Sequence, residues 1–362
     1  MSAVRILASG IDSLYASVRG ELVEGLLRIL DELRTASPDE EIPITLSGPT
    51  PDLLLRPYGW RGYRFWLSSP RYELFLGAAE PFPPAYLQLH AEHIHTLGIE
   101  RAVEEAEAML VRDLFPAGCR PLASRVDVFV DEQGWVPERE DFVRFQCRGL
   151  RRRMFEAPRQ QHGYGRRLSG FSFGTGDLVA RLYDKTLEMS VKGHTWPELL
   201  WRGWDPAEPV WRVELQYRRP VLAAMGLTGM REVVEHRQGL WEYGTRWLSL
   251  RVPTRDSNRA RWPVAPEWEA LTRAPIGGRA EPLIRERVRE AEVLRLTQGL
   301  VGYASSVEAM GAARGVGRAL ATTVPSVHPY LARRGASFAD LVRAKRERRL
   351  RDGAPGPQTV AQ

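Results

Sequence analysis

Arg125-Val-Asp-Val-Phe-Val-Asp131 alternates without a break, and its reading decides the fold. Successive side chains of an extended strand point to opposite faces. Val126, Val128 and Val130 therefore share one side, and Arg125, Asp127, Phe129 and Asp131 share the other. Two later stretches repeat the pattern. In Arg181-Leu-Tyr-Asp-Lys185, the residues Arg181, Tyr183 and Lys185 stand together opposite Leu182. In Trp211-Arg-Val-Glu-Leu-Gln-Tyr217 the apolar face is Trp211, Val213, Leu215 and Tyr217, with Arg212, Glu214 and Gln216 opposite. If these strands are neighbours, their apolar faces build a core and their other faces make one open ionic patch.

Such a patch holds the parts that metal-assisted phosphoryl chemistry needs. Carboxylates are hard oxygen ligands for Mg²⁺ or Mn²⁺, and a tyrosine offers a nucleophile. Flanking cations favour the phenolate and hold a phosphate. A surface face knitted by ion pairs gives the same alternation, so the pattern alone leaves both readings open.

The rest of the chain places the patch. Residues 11–19 alternate like a strand, and 21–34 put Leu22, Leu26, Ile29, Leu30 and Leu33 on one side of a helix. A polar loop is expected over 36–52, paired strands over 63–67 and 71–76, another strand over 86–93 and a helix over 98–114. Residues 137–145 read as a short helix, and 164–189 as a hairpin turning at Gly174-Thr-Gly176. After Pro220 the pattern is helical. The expected class is α+β: an antiparallel sheet with inserted helices, followed by a helical C-terminal region.

Composition bounds the function. The 362 residues are 43% hydrophobic and 27% charged, enough for a sizeable core in one large domain or two. No run of about 18 apolar residues exists, so no membrane span or membrane partner is expected. The first ten residues are too short and mixed for a signal peptide. Cys119 and Cys147 are the only cysteines, too few for a disulfide framework or a four-thiolate zinc site. A reduced, cytoplasmic protein is the expectation. Lys plus Arg is 51 against 45 acids, and the net charge of +6 permits a polyanionic partner without requiring one. Lysine occurs only at Lys185, Lys192 and Lys345, so chemistry specific to an ammonium gains weight at those positions.

Ser124-Arg-Val-Asp-Val-Phe-Val-Asp131, Ala180-Arg-Leu-Tyr-Asp-Lys-Thr-Leu-Glu188 and Val210-Trp-Arg-Val-Glu-Leu-Gln-Tyr-Arg-Arg219 follow an opening Gly10-Ile-Asp12. In this order they resemble the replication initiation factor family of the Rep_trans type, over roughly residues 8–250. Its members are rolling-circle replication initiators of plasmids and phages, and relaxases of some integrative conjugative elements. The resemblance implies a DNA-nicking domain over 1–250 and a separate helical, arginine-rich region over 251–362. It implies Tyr183 as nucleophile and Asp127 and Glu214 as ligands of Mg²⁺ or Mn²⁺, with Asp131 a further candidate on the same face. Lys185 and Arg181 would steady the developing charge, and Arg125 and Arg212 would contact the DNA. The implied reaction cuts one strand of single-stranded or supercoiled origin DNA. It leaves a 5′-phosphotyrosine and a free 3′-hydroxyl, and the adduct allows later rejoining.

Two features depart from related nucleases. His93-Ile-His95 spells a His-hydrophobe-His metal motif, but strand parity from Leu87 and Leu89 puts both histidines on the apolar face. His90 has the polar parity and is the expected neighbour of the site. Lys185 lies two residues after the tyrosine rather than three, which would keep both on one strand face.

The segment 333–351 holds eight basic residues against Asp340 and Glu347, and Arg343, Lys345 and Arg346 are its candidate phosphate contacts. The C-terminal region leaves three roles open: binding the origin duplex, contacting a helicase, or mediating a homodimer. Trp60, Tyr63, Trp66 and Trp135 are candidates for stacking on exposed bases. Two other functions fit the residues: an origin binder that does not cut, and a metal-dependent phosphodiesterase that uses water.

Overall fold

The computed structural model describes residues 4–46, 52–79, 82–149, 151–158, 166–283, 289–311 and 314–343. The chain opens with the long strand β1 (Arg5–Gly20), then α1 (Leu26–Ala36), β2 (Ile42–Ile44), β3 (Leu53–Leu55), β4 (Tyr63–Ser68), β5 (Tyr72–Ala78) and β6 (Ala85–Leu89). Helices α2 (Ala91–Leu97) and α3 (Ile99–Met109) lead to a second long strand, β7 (Cys119–Gln133). There follow α4 (Asp141–Arg144), β8 (Phe145–Cys147), β9 (Arg152–Pro158), β10 (Arg166–Thr175), β11 (Leu178–Asp184), α5 (Lys185–Lys192) and β12 (Trp211–Arg218). The compact unit closes with α6 (Arg219–Ala223), α7 (Met230–Glu235), α8 (Arg237–Trp247), β13 (Leu248–Leu250) and α9 (Pro266–Thr272).

Eleven of these strands form one antiparallel sheet, in the order β2-β3-β4-β5-β6-β1-β7-β12-β11-β10-β9, and β8 pairs with β13 separately. The strands with alternating sequences are neighbours: β7 pairs with β12 and β12 with β11. Val126, Val128, Val130, Leu182, Val213 and Leu215 are fully buried on the shared apolar face. Burying each such side chain contributes about 1.5–3 kcal/mol. Helix α8 presses onto this face at Gly244, where a Cβ would run into Leu215 and Tyr217. The Tyr217 hydroxyl donates to the Leu240 carbonyl at 2.6 Å, so the one polar atom this ring brings into the core is satisfied.

Glu132 continues the valine parity of β7, and it too is buried without exposure. The Trp135 N–H donates to Oε2 at 3.3 Å, whereas Oε1 has no partner among the described residues. Burial pushes this carboxyl up to about 8 from an ordinary 4.5. The folded state then keeps a proton that the unfolded chain releases, so stability falls as pH rises from about 4.5 to 8. Glu132→Gln should remove that decline and raise the unfolding free energy at pH 8 by on the order of 2–3 kcal/mol. Urea titrations at pH 5 and pH 8 measure it. An unchanged difference between the two pH values would contradict the assignment.

Several boundaries differ from expectation for local reasons. Residues 21–23 do not start the first helix: the Val23 N–H donates to the Leu114 carbonyl at 2.8 Å, and Gly25, at φ 79°, turns the chain into α1. The strand expected over 86–93 stops at Leu89, and His90 caps α2 instead. The expected polar loop over 36–52 contains β2. The first compact unit runs over Met1–Ile284 rather than ending near 250. Trp268 of α9 is fully buried, donating to the Thr245 carbonyl at 3.2 Å and meeting Phe145 edge-on at 5.3 Å. The second unit, Arg285–Gln362, contains α10 (Arg289–Ala309) and α11 (Val316–Arg333), packed on each other. Among the described residues no helix is long and apolar enough to cross a membrane.

Candidate functional site

The ionic face of the sheet is assembled by register. Arg181 lies opposite Glu214 and Tyr183 opposite Arg212; on the other side of β12, Arg212 faces Asp131 and Gln216 faces Asp127. Asp127 in turn pairs with Ser13 of β1. Above these strands opens a cavity of about 570 Å³. Its acids are Asp12, Asp127, Glu188 and Glu214, its bases Arg125, Arg181, Lys185 and Lys192, and Tyr183 lies among them.

Tyr183 donates its hydroxyl hydrogen to Glu214 Oε2 at 3.1 Å. The other carboxylate oxygen accepts from Arg181 Nη1 at 2.5 Å, and Arg181 Nη2 donates to Gln216 at 3.0 Å. The flanking cations therefore do not lower the phenol. Burial first, and then the charge of Glu214, hold it well above its ordinary value. Arg181 is spent on Glu214, and Lys185 on Glu188 at 2.8 Å. The phenol is neutral, and Glu214 accepts its hydrogen bond.

Lys185 also departs from the alternation. Asp184 ends β11 and caps a helix, its side chain accepting from the Leu187 N–H at 2.8 Å, so Lys185 opens α5. The ammonium still reaches the cavity, 5.9 Å from the centre of the Tyr183 ring.

Asp131 and Arg212 belong to a different structure from the one expected. Both are fully buried. Arg212 grips Asp131 with Nε at 2.6 Å and Nη2 at 2.8 Å, and Trp201 Nε1 donates to the same carboxylate at 2.8 Å. The guanidinium also bonds Asp12 and stacks 3.9 Å over Phe129. Neither side chain lines the cavity: Asp131, expected as a metal ligand, anchors Arg212, and Arg212, expected to contact DNA, is fully buried.

Asp12 is the cavity residue that alternation missed. Ile11 pairs with Val128 and Ser13 with Asp127, so Asp12 is an extra residue at a β-bulge. The bulge lets Asp12 and Ser13 face the same side while Ile11 and Leu14 both stay in the core. Burial alone would raise its carboxyl, yet Arg212, Lys185 and His95 hold it below the ordinary value. The opening Gly10-Ile-Asp12 carried the signal; a lone aspartate in an apolar strand gave no role.

The histidines sit on α2 rather than on a strand. His95 meets Phe129 edge-on at 5.3 Å, and its Nε2 has no hydrogen-bond partner among the described residues. Burial lowers its pKa, while nearby Asp12 pulls the other way. His93 turns towards Glu105 at 3.8 Å. His90 does line the cavity, as its parity suggested, with Nε2 3.2 Å from Glu73.

Asp127, Glu214 and Asp12 are hard oxygen donors on one cavity, the right chemistry for Mg²⁺ or Mn²⁺. Their arrangement does not fit an ion. Arg125 holds Asp127 through two hydrogen bonds, and Ser13 donates to it at 3.0 Å. Glu214 is held by Arg181 and Tyr183. Among the described residues no three His, Cys, Asp or Glu side chains converge on a point. Burial pushes Asp127 up to about 6 despite Arg125, the charge of Glu214 adding to the rise. In the second unit Arg343 is exposed and pairs with Asp340 at 2.8 Å; Lys345 and Arg346 lie outside the described residues.

The chain matches no known family model and no curated protein. Among solved structures it is similar to a rolling circle replication initiator protein from Geobacillus stearothermophilus. The two share 17% identity at a TM-score of 0.47, over 77% of this chain and 100% of that chain.

Proposed function

We propose that this chain is a rolling-circle replication initiator or relaxase that cuts one DNA strand with Tyr183. The observation that carries the proposal is the hydrogen bond from the Tyr183 hydroxyl to Glu214 inside a cavity bordered by Arg125, Arg181, Lys185 and Lys192. A neutral phenol needs a base, and Glu214 Oε2 is in contact with its proton. As the phenolic oxygen attacks phosphorus, that proton passes to Glu214. The bond from phosphorus to the 3′-oxygen breaks, the 3′-oxygen takes a proton from water, and the 5′-phosphate stays on Tyr183. Arg181 and Lys185 border the cavity, and once released from Glu214 and Glu188 they would steady the charge that grows on the phosphoryl oxygens. Strand rejoining is the same step reversed.

The test is incubation with supercoiled plasmid carrying the DNA that flanks the gene, and with its single strands, followed by denaturing electrophoresis. A protein–DNA adduct and a nicked circle are expected. Nicking without an adduct would favour the phosphodiesterase that uses water, and binding without nicking the non-cutting origin binder. Mn²⁺ and chelator arms test the divalent ion. Nicking that persists in chelator leaves the chemistry to Glu214 and the cations, whereas nicking that needs Mn²⁺ requires Arg125 to release Asp127.

A further inference from the structure

The ionic face does not end at the cavity. Tyr15 and Arg125 line the cavity wall, and the same sheet face continues over β1 and β6 towards the turn before β4. Three aromatic rings step along it. Tyr15 lies 6.2 Å from Tyr86, and Tyr86 lies 6.4 Å from Trp60. Trp60 stacks at 4.5 Å on Phe75, which fixes the indole against the sheet. Guanidinium groups lie on the row: Arg125 is 4.8 Å over Tyr15 and Arg61 is 4.5 Å over Trp60.

Arg125 is held by Asp127, but the other charges beside this row have no counter-charge among the described residues. Arg61, Arg218, Arg19 and Arg120 are exposed, and none makes an ion pair among the described residues. Arg19 and Arg120 face each other directly across β1 and β7, an arrangement that costs stability. Burial raises the Tyr86 hydroxyl, while the hydrogen bond from Ser124 and the charges of Arg125, Arg218 and Arg61 oppose that rise. Arg61 is also the one non-glycine residue with positive φ among the described residues, at 45°. With Gly62 at φ 92° it makes a tight turn in which Trp60 and Tyr63 exchange backbone hydrogen bonds. A long side chain in that conformation costs about 1 kcal/mol or more, and such strain collects at binding sites.

Ring faces and guanidinium planes in a row, with unpaired positive charge beside them, match one chemistry: single-stranded nucleic acid, whose bases stack and whose phosphates need cations. We propose that the DNA strand leading to the scissile phosphate runs out of the cavity over Tyr15 and Tyr86 to the Trp60–Arg61 turn, its phosphates held by Arg61, Arg218 and the Arg19–Arg120 pair. The proposal rests on the nicking assignment for the identity of the ligand, and on this surface alone for its path. The track fixes where the strand lies, so it sets which nucleotides beside the cut are read by contact. Arg61 covers the outward face of Trp60, so the guanidinium meets the strand and the indole serves as its shelf.

The test uses the full chain carrying Tyr183→Phe and a fluorescein-labelled oligothymidylate about twelve nucleotides long, within the span such surfaces bind. Anisotropy titrations between about 0.05 and 0.2 M salt give affinity and its salt slope. Replacing Arg19, Arg61 and Arg218 together by Gln should weaken binding by about 30-fold or more. The salt slope should fall by about 2, at roughly 0.7 per lost phosphate contact on a single strand. Trp60→Leu should weaken binding by about tenfold. A control in which the exposed Arg101, Arg202 and Arg273 become Gln removes the same charge elsewhere. Equal loss in both triple variants would reduce the effect to net charge and overturn the track. So would an unchanged slope in the track variant, or loss confined to a deletion of 333–362. With Tyr183 intact, nicking distinguishes the two assignments. A wild type that binds along this face but never nicks refutes strand transfer and leaves the track. A track variant that binds and nicks like wild type refutes the track and leaves strand transfer.

Discussion

Tyr183→Phe should abolish nicking and adduct formation, by a factor on the order of 10³ or more, while leaving the fold and DNA affinity nearly intact. The substitution removes one oxygen, together with the hydrogen bond to Glu214. A bond of this kind, to a charged acceptor, contributes about 1.5–3 kcal/mol. Arg181 still donates to the Glu214 carboxylate in the variant, so the acid is not left without a partner. The melting temperature should therefore fall by only a few degrees. Peptide mapping of the wild-type adduct decides the site. Tyr217 is excluded by its place in the core, where its hydroxyl is committed to Leu240. Tyr15 is the informative competitor because it lines the same cavity. An adduct on Tyr15, or a Tyr183→Phe protein that still nicks, would end the assignment. Glu214→Gln separates nucleophile from base: Gln still accepts a hydrogen bond but cannot take the phenol proton at neutral pH. Cleavage should fall steeply in that variant with little change in DNA affinity.

The sheet was legible because alternation is a local property and each strand could be read by itself. Val126, Val128 and Val130 announce an apolar face, and Arg181, Tyr183 and Glu214 a polar one; hydrogen-bonded register then has few ways to combine them. What parity cannot see is where a strand stops. Parity puts Lys185 on β11, but Asp184 caps a helix there, and it puts His93 and His95 on a strand that ends at Leu89. Nor can parity see a bulge. Asp12 reaches the cavity only because one extra residue at that point restores the core phase of Leu14. Partner choice was the third blind spot. Arg212 and Asp131 are 81 residues apart in sequence, and nothing local says that they satisfy each other instead of facing solvent. The same holds for Arg181 and Glu214: their pairing draws Arg181 away from the phenol, which burial first and the charge of Glu214 second keep neutral.

Arg212 gives the second large effect, on stability. Its guanidinium is fully buried, with hydrogen bonds to both Asp131 oxygens and to Asp12. Arg212→Met keeps the side-chain bulk but leaves two acids without their cation. Removing one partner of a buried pair costs about 3–5 kcal/mol, because the remaining charge has lost both water and counter-ion. For a unit of this size that is about 10 °C or more in melting temperature. The deficit should depend on pH, with a definite sign. Arg212 is the strongest influence holding Asp12 below its ordinary carboxylate value against the pull of burial. Without it, burial raises Asp12 above the unfolded value, and stability falls as pH rises through the new pKa. The variant should therefore lie closer to wild type at pH 5 than at pH 8. Asp131→Leu on top of Arg212→Met should recover part of the loss, since it removes a buried charge, although Trp201 then loses its acceptor. Urea denaturation of the single and double variants at both pH values measures all of this. It also separates the two roles considered for Asp131. A metal ligand could be replaced by Asn with cleavage lost and stability unchanged, whereas the anchor of Arg212 must lose stability first.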